Sequence, residues 1–70
     1  MKKFTDREKI VLSYLYMGVC ERDIAKSMNV NYKTVNSFKL SAMRKVGIRK
    51  NANLIFWLRT SEANFMILKA

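Results

Sequence analysis

Residues that could do chemistry are unevenly supplied in this 70-residue chain, which has no His and one Cys but fourteen Lys and Arg. Without His, and with Thr5 and Glu8 placed to cap a helix, no acid–base or nucleophile–base constellation can be assembled, so an enzyme is not expected. The same counts exclude the usual zinc-finger ligand sets and a disulfide framework, and no metal or other cofactor is expected. Polyanion chemistry remains. Between Ile24 and Ser61 the chain has eight Lys or Arg and no acid, within a net charge of +9. At about 100° per residue, Lys33, Ser37, Leu40 and Arg44 share one side of a helix, flanked by Asn36 and Ser41. Short polar groups between two cations suit phosphates and base edges; a merely solvated face more often carries Glu/Lys pairs. A membrane-surface helix would rim an apolar face with its cations, whereas these oppose one.

The elements that position those groups are legible in the apolar spacing. Ile24, Ala25 and Met28 recur at i, i+1 and i+4, and Val35, Phe38, Ala42, Met43 and Val46 at i, i+3, i+7, i+8 and i+11. Two short helices joined by a tight turn, the second longer and basic, read as a helix-turn-helix. Ala25 is small enough to allow close approach, Val30 plugs the turn, and Asn29 is the non-Gly residue best able to turn left-handed. Asn31 is the expected N-cap of the second of these helices. Its first turn, Tyr32-Lys33-Thr34, makes a phosphate site at a helix N-terminus. Lys39, Arg44, Lys45, Arg49 and Lys50 continue the basic track, and Gly47 stops the helix.

Upstream, Thr5 and Glu8 form a capping box with Phe4 as a staple residue, and Gly18 ends that first helix. Glu8 has two readings, a cap alone or a cap plus an ion pair to a downstream Arg. Val11, Leu12 and Leu15 give the core stripe, with Ile10 and Tyr14 to one side. Cys20, where the next helix begins, reads either as an oxidant-sensing thiol or as a small half-buried residue. Asn51 is expected to cap a fourth helix from Ala52 to about Thr60. In that helix Leu54-Ile55-Phe56-Trp57-Leu58 is apolar on every side, more than a domain this small can surround. Leu54, Ile55, Trp57 and Leu58 are therefore expected at a dimer interface, with Phe56 and Trp57 as aromatic anchors. The tail from Ser61 to Ala70 has one more apolar cluster, Phe65 to Leu68.

The chain resembles the LuxR-type (GerE-type) DNA-binding domain over roughly residues 4–58. The resemblance is carried by FTDRE at 4–8, VL at 11–12, LYMG at 15–18, DIAKSMNV at 23–30, KTV at 33–35 and MRKVGI at 43–48. It implies an all-α, four-helix fold without a wing, whose third helix enters the major groove and whose fourth dimerises. It also implies recognition of short inverted repeats. Base-reading positions of the family fall on Asn36, Ser37 and Leu40. Backbone contacts fall on Asn31, Tyr32, Lys33 and Thr34, with Lys39 and Arg44 added. The family usually has His at the position of Phe38, and Lys or Arg at one or both of the positions of Asn36 and Leu40. Asn36 suits adenine, and Leu40 can pack on a thymine methyl.

The expectation is a single domain over 1–70, with its core at 4–60 and an apolar tail at 61–70. It acts as a bacterial transcription regulator, binding duplex DNA as a homodimer or as a heterodimer with a related regulator. RNA polymerase is a further candidate partner. The upstream receiver or ligand-binding domain usual in the family is not in these 70 residues, which suggests a stand-alone regulator or a C-terminal piece. One alternative is an interaction module that pairs with a related regulator and reads little DNA itself. Another is a sigma region-4-like domain, against which the apolar fourth helix argues. A lone Cys, no apolar run of spanning length and no signal-peptide h-region suit the cytoplasm.

Overall fold

A computed structural model describes residues 4–60, which form four helices: α1 (Asp6–Tyr16), α2 (Glu21–Met28), α3 (Tyr32–Lys45) and α4 (Asn51–Leu58). Helix α3 packs on α1 and α2, while α1 also meets α2 and α4. Two apolar clusters hold them together. Phe4, Leu12, Ala42, Met43, Leu54 and Leu58 fix α1, α3 and α4 to one another. Val11, Ile24, Ala25 and Val35 fix α1, α2 and α3, and Leu15 packs against both clusters. No helix among the described residues is long and apolar enough to cross a membrane.

The first three helices end in the same way. The amide of Gly18 donates to Leu15 and that of Val19 to Tyr14, at 3.0 Å each. Asn29 and Val30 donate to Lys26 and Ala25, and Gly47 and Ile48 to Arg44 and Met43. Each is a Schellman ending, which needs a left-handed residue after the last turn and favours an apolar residue next. Asn29 supplies that conformation without being Gly, at φ 55° and ψ 47°. The next residues, Val19, Val30 and Ile48, are all partly buried against the clusters. Val30 thus plugs the turn between α2 and α3 as the apolar half of a helix stop, which fixes how α3 leaves α2.

Helix α1 starts with the expected capping box: Thr5 Oγ1 accepts from the Glu8 amide at 3.2 Å, and the Thr5 amide donates to Glu8 Oε1 at 2.8 Å. Phe4 is not a staple within α1. Its ring is buried across the molecule, edge-on to Trp57 with centroids 5.9 Å apart, because the fourth position of α1 is Lys9 and offers no apolar partner. Helix α4 begins one residue earlier than expected: Lys50 is the N-cap, without a side-chain hydrogen bond, and Asn51 is the first helical residue. Cys20 is exposed rather than half-buried, and makes no capping hydrogen bond at the start of α2.

The apolar fourth helix divides by period. Leu54 and Leu58, four residues apart, are buried at 3% and 2% exposure, so these two are core and are withdrawn from the expected interface. Trp57 is half-buried against Phe4, whereas Ile55 and Phe56 stand 55% and 72% exposed. Leu58→Ala is therefore expected to cost about 2–5 kcal/mol in urea unfolding, and Phe56→Ser no more than about 0.5 kcal/mol. Equal costs would contradict this division of the helix. The expected tail cluster lies outside the described residues.

Candidate nucleic-acid interface

The turn after α2 delivers the chain to Asn31, whose side-chain oxygen accepts from the Lys33 amide at 2.6 Å and caps α3. This cap uses one of the backbone donors that a phosphate would otherwise meet, and leaves the Lys33 ammonium exposed beside it. Further along α3, Ser37, Leu40 and Arg44 are also exposed, with Leu40 at 45%. Asn36 and Thr34 are half-buried at the margin of this surface, and Tyr32 is exposed at its start. Lys33, Ser37, Leu40 and Arg44 follow one another at intervals of four, three and four, so they form one stripe about three turns long. No acid lies on α3. Near its C-terminal end, Leu40 and Arg44 continue into Met43, Ile48 and Arg49 around a shallow depression.

The opposite flank of α3 carries cations too, and these are spent inside the fold. Lys39 is 7% exposed, and its ammonium pairs with the Glu21 carboxylate at the start of α2. This corrects the expectation that Lys39 contacts a phosphate. At about 100° per residue Lys39 lies only about 40° from Val35, near the centre of the apolar wedge. A lysine there needs a carboxylate partner. The helical wheel carries that signal for Lys39, and its partner is Glu21, 18 residues away.

Glu8 forms the second tie. Beyond its cap, its carboxylate accepts from Lys45 Nζ at 2.6 Å, so the downstream cation is a Lys and not an Arg. A helix C-terminus favours any cation, and periodicity could not say which would reach back to α1. Burial pushes the Glu8 carboxyl upward. The hydrogen bonds from Lys45, Ser41 and the Thr5 amide outweigh it and hold the group at about 2. Glu21 is also lowered, chiefly by Lys39 and against burial, with help from Tyr32.

The outcome is a sorting of charge. Two lysines of α3 anchor it to α1 and α2 through the two buried or half-buried glutamates, while Lys33 and Arg44 face outward from a surface without acids. Such a surface can bind phosphate oxygens at its ends and present short polar and apolar groups between them.

Compared with known proteins, residues 2–58 match the model of a family described as bacterial regulatory proteins, luxR family. No curated protein and no solved structure matches the chain.

Proposed function

The chain belongs to the luxR family of bacterial regulatory proteins, and from this we propose that it regulates transcription by laying α3 in the major groove of duplex DNA. The observation that carries this reading is the exposed, acid-free stripe of α3, backed by two partly buried ion pairs that tie α3 to α1 and α2. Asn36, Ser37 and Leu40 reach base edges: an Asn suits adenine, a Ser hydroxyl serves as donor or acceptor, and a Leu packs on a thymine methyl. Lys33 and Arg44 take phosphates at the two ends, with Asn31, Tyr32 and Thr34 lining the turn beside the first. Lys39 has no part in the contact.

Two copies bind together, and their symmetry matches an inverted repeat. The part of α4 that meets the second copy is its exposed flank, Ile55 and Phe56, with Trp57 at the margin; Leu54 and Leu58 hold it from behind. The regulator works in the bacterial cytoplasm, where bound DNA brings it beside RNA polymerase.

Asn36→Ala is expected to relax preference at one base pair, costing about 1–3 kcal/mol on the preferred duplex and little on others. Fluorescence anisotropy on the preferred site and its single-base variants measures this. An unchanged profile across every variant would remove Asn36 from the groove.

The exposure of Ile55 and Phe56 also favours a second reading, in which α4 pairs with a related regulator and redirects it. Sedimentation at low and high protein concentration separates the two. A homodimer supports the first reading, and a monomer that associates only with another helix-turn-helix chain supports the second.

A further inference from the structure

We propose that Glu21 is a positioning residue for sequence discrimination: its carboxylate clasps Lys39, tying the start of α2 to the middle of α3, and so sets the attitude of α3 toward the groove. The proposal rests on the groove-binding reading above and adds a residue on a different helix. Glu21 is the first residue of α2, and Lys39 is the eighth residue of α3. One carboxylate at the start of α2 therefore takes the ammonium of a lysine two turns into the reading helix. The apolar contacts between α2 and α3 come from Ile24, Ala25 and Val35 with Met28, Val30 and Phe38 around them, and these hold the helices together without tying any one atom of α3 to one of α2. A directional ion pair shielded from solvent restricts relative motion of the two helices more than dispersion does, because its energy depends on where two particular atoms sit.

The geometry separates two quantities that usually change together. Phosphate contacts depend on exposed cations, which the clasp does not touch. Base contacts depend on placing Asn36, Ser37 and Leu40 within hydrogen-bond or van der Waals distance of particular edges, and a small roll of α3 spoils them. Loosening the clasp should therefore lower discrimination and leave non-specific binding intact. Removing Glu21 also deletes a negative charge, which favours binding to any duplex.

The test compares wild type, Glu21→Gln, Lys39→Met and the exchanged pair Glu21→Lys/Lys39→Glu. Each is titrated against the wild-type-selected duplex and a scrambled duplex at one salt concentration, with a thermal melt for each protein. Glu21→Gln and Lys39→Met are expected to lose about tenfold in the ratio of the two affinities; scrambled-duplex binding is undiminished in Glu21→Gln and weakened only by the one lost charge in Lys39→Met. The exchanged pair restores the ion pair and is expected to recover most of the ratio. Lys39→Met opens the clasp from the other side and leaves the Glu21 carboxylate, 19% exposed, in reach of water, which gives a second test if Glu21→Gln melts below the assay temperature. An unchanged ratio in the folded single variants overturns the proposal, as does a ratio that stays low in a folded exchanged pair. A wild-type chain that shows no preference overturns the groove-binding reading as well, and that result is read from the wild-type arm alone.

Discussion

The Lys33→Glu/Arg44→Glu double variant is expected to bind duplex DNA on the order of 50- to 100-fold more weakly near 0.1 M salt, whatever the sequence. Each cation that neutralises a phosphate releases counterions and adds roughly 0.9 to the slope of log K against log salt. Losing two contacts flattens that slope by about 2, and the reversed charges add repulsion. Both residues are exposed, so the cost to folding is small. A Glu in the first turn of α3 suits the helix dipole, and one in the last turn opposes it, each by about 0.3–1 kcal/mol. Anisotropy titrations over a range of salt measure the slope directly. The matched control is Arg7→Glu/Arg59→Glu, which changes net charge equally at exposed sites off α3. If the two double variants lose affinity and slope alike, binding comes from the overall charge of the domain and not from this face.

The second large effect concerns stability. Glu8→Ala is expected to cost about 3–5 kcal/mol, the usual result of removing one member of a buried ion pair. That is a large share of what a domain of this size can hold in reserve. The Glu8 carboxylate, at 2% exposure, serves at once as the reciprocal half of the α1 cap and the acceptor for Lys45. Its linkage to pH has a definite sign. The folded value of about 2 lies below the ordinary 4.5, so the ionised group stabilises the fold above pH 4.5, and this is lost as pH falls toward 2. The contribution is on the order of 3 kcal/mol. Glu21, also lowered, acts in the same direction. Urea unfolding of wild type and Glu8→Gln should therefore differ fully near neutrality and converge in acid. Parallel curves from pH 7 to 2 would mean that the Glu8 charge is not what ties α1 to α3.

Much of this architecture is legible in the sequence because it is local. The Thr5–Glu8 cap, the Asn31 cap, the left-handed Asn29 and the stops at Gly18 and Gly47 each depend on a few neighbouring residues, and each occurs in the structure where the chain suggests. The outward stripe of α3 is also a local property, since helix period alone assigns its side. What the sequence hides is long-range and directional. Lys39 and Lys45 look like the other cations of a basic track until Glu21 and Glu8 are brought beside them from 18 and 37 residues away. Helix α4 hides its division for a related reason. When every position is apolar, hydrophobicity has no phase, and only the contact with Phe4, Leu12 and Met43 shows that Leu54 and Leu58 face inward.

The central claim, that α3 reads base edges while two copies bind together, is tested most directly by selecting bound duplexes from a random pool and sequencing them. The expected product is an inverted repeat whose half-sites lie about one helical turn apart, with the preference at one position of each half-site lost when the selection is repeated with Asn36→Ala. A pool retained at low salt without any enriched sequence would contradict that claim, leaving phosphate binding by Lys33 and Arg44 and moving attention to what Ile55 and Phe56 on α4 engage.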